Sequence, residues 1–171
     1  MREAFGTTIA VILVVLAMFL VPIQENACKG DVITQDYVYT TVADFVQEVQ
    51  LCGYITQEQY NEFTKKLSDT GSMYTIEMTH SHDVIMPVFG EDGNSVTGTK
   101  TVRSTTYEDE ILEKMYNTEG VYYFEVGDQF SMTVKNKSRT TAQKLNSLLS
   151  KGSTKYAVVA TYGATIRNEN Y

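Results

Sequence analysis

Few residues in this chain are suited to covalent or redox chemistry: of 171 residues, two are cysteine and two are histidine. Two cysteines, Cys28 and Cys52, cannot build a disulfide scaffold. If residues 31–51 form one helix, its ends lie ~30 Å apart, whereas bridged Cα atoms must lie within about 7 Å. A bond between them inside one chain would require that helix to break, leaving two free thiols or a bond between chains through Cys28 as the expectation. Neither a G-x-S-x-G elbow nor a histidine-paired cysteine is present, and no P-loop or G-x-G-x-x-G occurs. The sequence therefore carries no enzyme signature, and no cofactor is expected.

Positive charge is also scarce. The chain has 14 Lys+Arg against 21 Asp+Glu, a net charge of −7. Arg2 and Glu3 cancel, so the acidity belongs to the residues after the apolar N-terminal segment. Nucleic-acid binders show a basic stripe, because phosphate neutralisation supplies most of their affinity; none is present, so no nucleic-acid partner is expected. An acidic domain is repelled by anionic headgroups and should stand off a membrane surface.

What is present begins with an uncharged stretch from Ala4 to Ile23, apolar throughout from Ile9 to Val21. Twenty helical residues rise ~30 Å, the thickness of a bilayer's hydrocarbon core. A cleaved signal has a shorter apolar region, ~7–15 residues, ending at small residues. Here Ala27 follows Glu25-Asn26, a poor cleavage site, so a retained transmembrane helix is expected. Arg2 and the terminal amine before the segment, with Glu25, Lys29 and Asp31 after it, orient residues 1–3 to the cytoplasm and 24–171 outside it. Gly6, Ala10 and Ala17 share a helical face, a seam that another membrane helix could approach closely.

A break at Lys29-Gly30, or only a kink that leaves anchor and stripe one long rod, precedes an amphipathic helix expected over Asp31–Leu51. Val32, Tyr39 and Val46 repeat at seven with Val42 and Val49 offset by three, and Gly53 can supply a left-handed stop. Thr56-Gln-Glu-Gln59 reads as a capping box opening a second helix, with Tyr60, Phe63 and Leu67 buried and Gly71 ending it. Met73–His82 alternates as a half-buried strand. Gly90–Asn94 and Gly98 mark a loop or hairpin tip. Tyr107–Asn117 reads as a helix presenting Ile111, Leu112 and Met115. Val121–Val126 and Gln129–Val134 are expected to pair around a tight turn at Gly127-Asp128. Thr140–Ser150 reads as a helix with Ala142, Leu145, Leu148 and Leu149 inward, ended by Gly152. Tyr156–Ile166 is the last strand. The fold class is α+β: an N-terminal transmembrane helix, an amphipathic helical extension, and a small antiparallel sheet packed with short helices.

His80 and His82 stand two apart on the strand, a spacing that can offer two imidazoles to one metal. A site needs three or four ligands, and the face they share with Ile76 and Met78 is apolar. Half-buried rings at a strand end are the simpler expectation, and no metal is assigned. Glu108-Asp109-Glu110 opens a helix, where carboxylates suit the dipole. The twelve tyrosines are expected to serve core and cross-strand packing.

Arg2-Glu3-Ala4-Phe5-Gly6, with an acid beside an apolar stretch, then Ala10 to Pro22, an amphipathic extension and a small α+β head, together resemble type IV pilin-like proteins, and in particular TadE-like minor pilins of tight-adherence systems. The resemblance covers the first fifth of the chain by motif and the rest by architecture. It implies a non-enzymatic subunit of a pilus or secretion apparatus, partnered by the bilayer, by pilin-like subunits and by further copies of itself. It also assigns Glu3 a role in joining a neighbour during assembly, although Glu3 precedes the apolar run instead of lying just inside it. Gly6, Ala10 and Ala17 are the other assembly candidates. The alternative is a membrane-tethered extracytoplasmic domain for ligand binding or adhesion.

Overall fold

A computed structural model describes residues 2–89, 96–117, 120–140, 143–144, 147 and 159–169. The first element, α1, is one uninterrupted helix, Arg2–Cys52. No break occurs at Lys29-Gly30, and the alternative holds: anchor and amphipathic stripe form one long rod. A single internal glycine costs a helix only ~1 kcal/mol, and Thr34 Oγ1 donates to Gly30 O at 2.9 Å across that turn. Asp31 is accordingly an internal residue, not a helix start; its carboxylate accepts instead from Thr140 Oγ1. Pro22 also lies inside α1, and having no N–H it leaves Met18 O without the usual helical donor. At the other end Gly53 takes φ +76° and its N–H reaches Val49 O at 2.8 Å, the left-handed stop expected there.

Residues 5–23 of α1 are exposed along their whole length. Among the described residues α1 is the one helix long and apolar enough to span a membrane. Burial begins at Val38 and continues through Val42, Phe45, Val46 and Val49. The apolar stripe is therefore shorter than its heptad pattern suggests: Val32 and Tyr39 are exposed, Val32 because it lies below the sheet that covers Val38 onward. Tyr39 instead meets Tyr162 edge-on, with centroids 6.3 Å apart.

After β1 (Tyr54–Thr56), the capping box forms as expected: Gln59 N donates to Thr56 Oγ1 at 3.2 Å and Thr56 N to Gln59 Oε1 at 2.8 Å. It opens α2 (Gln57–Ser68), which buries Tyr60, Phe63 and Leu67. Phe63 packs on Phe45 of α1 with centroids 4.7 Å apart.

The expected strand at Met73–His82 is the first half of a longer one, β2 (Tyr74–Phe89), paired antiparallel with β3 (Val96–Tyr107). Of the two readings around Gly90–Gly98, the irregular hairpin holds: β2 and β3 pair with a register shift at Val88/Phe89 and Gly98 lies inside β3, while Gly90–Asn94 falls outside the described residues. Then come α3 (Glu108–Asn117), burying Ile111 and Met115, β4 (Val121–Tyr123), β5 (Gln129–Asn136) and β6 (Val159–Thr165). The main sheet has the order β3-β2-β5-β6, and β1-β4 form a separate pair. The hairpin expected between Val121–Val126 and Gln129–Val134 does not form. Phe124 N is taken by Gly53 O at 2.9 Å and Gly127 N by Ile166 O at 3.0 Å. With those donors engaged, β4 turns to β1 and β5 to β2 and β6. Past β5, Thr140 and Gln143 exchange side-chain-to-backbone bonds at 3.1 and 3.2 Å, and Gln143, Lys144 and Ser147 are helical. Ala142, Leu145, Leu148, Leu149, Gly152 and Tyr156 lie outside the described residues.

The sheet packs on α1 through β5 and β6, and its long axis follows the helix. At one end, the foot, Tyr74 OH meets Thr70 Oγ1 at 2.8 Å, and Thr70 shares a shallow concavity with Ile33 and Tyr37. At the other end Gln50 Nε2 reaches Thr165 O at 2.9 Å, and Ser81, Gln129 and Thr165 lie abreast. Within this frame, β2 carries His80 and His82 to the end of the head remote from the apolar half of α1.

Candidate functional site

Strand alternation puts Met78, His80 and His82 on the core face of β2. The chain between β4 and β5 crosses that face in a turn, with Asp128 N donating to Glu125 O at 3.1 Å. This turn brings Asp128, 3 % exposed, between the two rings. His80 Nε2 lies 2.8 Å from Asp128 Oδ2, and His82 Nδ1 makes a short bond to Asp128 Oδ1. Glu125 N adds a third donor to Asp128 Oδ2 at 2.8 Å. A carboxylate only accepts, so both ring nitrogens facing it carry protons. With its Nε2 protonated, a neutral His80 accepts at Nδ1 from Tyr122 OH, 2.8 Å away. Phe124 meets the His80 ring edge-on at 4.8 Å between centroids, closing it from water.

The electrostatics follow from these partners. Burial pushes the Asp128 carboxyl up, but the bonds from His82, Glu125 N and His80 outweigh it and hold the group below its ordinary range. The hydrogen bond to Asp128, helped by that carboxylate's charge, raises His82 above its ordinary value; Glu125 and Asp83 add to this and desolvation opposes it. Burial raises the Tyr122 hydroxyl, keeping it a neutral donor. His82 Nε2 faces Glu125 Oε2 at 3.9 Å on the open side of the cluster. His82 is therefore the half-exposed member of the cluster, while His80 and Asp128 are buried.

Both predicted histidines thus belong to one cluster, with partners that sequence spacing did not reveal. Asp128 and Tyr122 stand 48 and 42 residues from His80, and a Gly-Asp pair in a turn reads as turn chemistry alone. Among the described residues no group of three or more His, Cys, Asp and Glu is arranged to hold a metal. The facing ring nitrogens are engaged by Asp128 instead of converging on a common point. What the cluster does chemically is fasten the β4–β5 turn to β2 and tie the strength of that fastening to pH.

The other candidates lie apart. Glu3, Gly6, Ala10 and Ala17 are all in α1, and a Cβ added at Gly6 would meet nothing within 4 Å in this chain. Cys28 and Cys52 both sit in α1, without a disulfide, ~36 Å apart at the helical rise. Between α1 and α2 runs a groove of about 270 Å³ floored by Phe45 and Phe63 and rimmed by Asp44, Glu48 and Glu62. Set against models of known families, curated proteins and solved structures, the chain matches none.

Proposed function

We propose that this chain is a single-pass membrane protein of the cell envelope that works by assembly: a minor pilin or pseudopilin-like subunit of a pilus or secretion apparatus. Residues 1–3 lie in the cytoplasm, Ala4–Ile23 cross the bilayer, and 24–171 form the extracytoplasmic head. One observation carries the reading. A single 51-residue helix is apolar and bare at its N-terminal half, while its C-terminal half is the backbone of an antiparallel sheet domain. Such a helix suits a subunit that shares its first half with lipid or with neighbouring helices. Gly6, Ala10 and Ala17 then form the seam between helices, and Glu3 the contact that guides joining. Cross-linking in native membranes at endogenous levels should capture neighbouring subunits; recovery of the monomer alone rejects the reading.

A tethered adhesion or ligand-binding domain is the second reading. It is favoured by the apolar residues exposed on β2 and β3 at the end of the head away from α1's apolar half. Deleting residues 1–23 separates the two. An assembly subunit loses incorporation, whereas a tethered receptor head keeps its ligand.

A further inference from the structure

The hairpin of β2 and β3 outruns its sheet. Pairing of β2 with β5 stops at Ser81↔Gln129, abreast of the end of α1, while pairing with β3 continues to Phe89↔Val96. Eight residues of β2 therefore run ~27 Å past the end of β5 as a two-stranded overhang, the first of them, His82, still held by Asp128. Its underside continues the core face of the sheet with Val84, Met86 and Val88, which face Val102, Lys100 and Gly98 across the ladder. Inside the head that face of β2 and β3 is covered by α3 and by the turn that carries Phe124 and Asp128. Beyond them Met86 and Val88 are exposed, so the overhang is an apolar sheet surface past the elements that cover it. Addition of another strand along β2 is impeded, because Pro87 has no N–H to give.

An exposed apolar stretch of helix is available at the opposite pole. Val32 and Ile33 of α1 are 58 % and 69 % exposed, just below the sheet. Ile33 and Tyr37 line the concavity at the foot, of about 280 Å³, with Asp69 at its edge. Charge matches as well. Lys100 on the overhang, and Asp36 and Asp69 at the foot, take part in no ion pair among the described residues.

We propose that copies of this chain stack head to foot, the overhang of one closing over the Asp31–Tyr37 stretch of α1 in the next, with Lys100 against Asp36 and Asp69. This rests on the assembly reading above and specifies its contact. Lys100 lies ~17 Å past the end of the sheet and Asp36 ~21 Å below Gln50, so the stagger between copies is ~38 Å. That is half the ~77 Å length of α1, so neighbouring helices still overlap side by side. It exceeds the ~30 Å of a bilayer core, so the contact belongs to a stacked assembly, not to two copies abreast in one membrane. The two patches differ and do not close on themselves, which makes the product a linear stack.

The test is carbodiimide cross-linking of the full-length chain in intact cells, with the joined peptides identified by mass spectrometry. Lys100 and the two aspartates lie at opposite poles of one head, so any link between them joins two copies. The expected result is a Lys100–Asp36 or Lys100–Asp69 link, lost in Lys100→Glu, which removes the amine that is joined, and replaced by a link between positions 100 and 69 in the double variant Lys100→Glu/Asp69→Lys, where amine and carboxylate have exchanged places. Multi-copy products linked only through other residues overturn the head-to-foot contact and leave the assembly reading standing. Finding only single-copy species overturns both.

Discussion

Both halves of α1 are rich in valine, but the valines of each have opposite surroundings. Val11, Val14 and Val15 are at least half exposed, whereas Val38, Val42, Val46 and Val49 are completely buried. The N-terminal half is apolar on every side, so no face of it is distinguished, and it needs an apolar medium or other helices around it. In the C-terminal half, polar residues such as Asp44, Gln47 and Glu48 separate the valines, so one stripe faces the sheet and the rest faces water. One continuous helix is thereby divided between two environments without any break in its backbone.

A charge placed in each half breaks that comparison most severely. Val46→Asp puts an unpaired carboxylate against β5 and β6 and should cost the head on the order of 4 kcal/mol or more, unfolding much of it. Val14→Asp should leave the thermal unfolding of the head unchanged and lower the fraction retained on membranes after alkaline extraction. Circular dichroism melts and membrane fractionation read the two effects separately. Equal loss of head stability in both variants would mean that the halves are not independent.

The same contrast explains which parts of the fold were legible in the sequence. Local signals were read correctly where the chain itself supplies the partner: Thr56 with Gln59, Gly53 as a left-handed stop, Tyr60, Phe63 and Leu67 on one helix face. They misled wherever a distant segment decided the outcome. Gly30 reads as a break, yet helix on both sides carries the backbone through it. Gly127-Asp128 reads as a hairpin turn, but Gly53 O and Ile166 O take the donors at Phe124 and Gly127. β3 was not anticipated because Thr97, Thr99, Thr101 and Thr105 alternate with little apolar contrast. At the cluster, the shared face of His80 and His82 was legible by period two, while Asp128 was invisible for want of a local pattern.

Asp128 is where the head should be most sensitive after its valine core. Asp128→Ala removes the acceptor for His80, His82 and Glu125 N together and strands buried donors, at a cost on the order of 3 kcal/mol by denaturant titration. Gly53 ranks next. At φ +76° an added Cβ would stand 3.0 Å from Asn168 Cγ, so Gly53→Ala should cost about 1–2 kcal/mol from backbone strain and crowding. Gly30→Ala, with nothing within 4 Å of the added carbon, should instead stabilise the helix slightly. Opposite signs from two glycines of one helix region would separate the cap from the rod.

The smallest effect expected is also the most diagnostic for the cluster. His82 is raised above its ordinary 6.5 by its bond to Asp128, so its contribution is fully present below 6.5 and fades as pH rises through the folded value. Asp128 is held below its ordinary 3.8 despite burial; its contribution is present above 3.8 and is lost as pH falls through the folded value. Together the pair favours the folded head most between 3.8 and 6.5, with an alkaline limb set by His82 and an acid limb set by Asp128. Because the His82 side chain is 35 % exposed, solvent screens it and its limb should be shallow. Denaturant midpoints measured from pH 3 to 9 should show this limb in the native chain, and His82→Gln should flatten it and also shrink the acid limb, because the His82 bond is the first of those that hold Asp128 down. An unchanged alkaline limb in that variant would assign it to another group and leave His82 a bystander to the clasp.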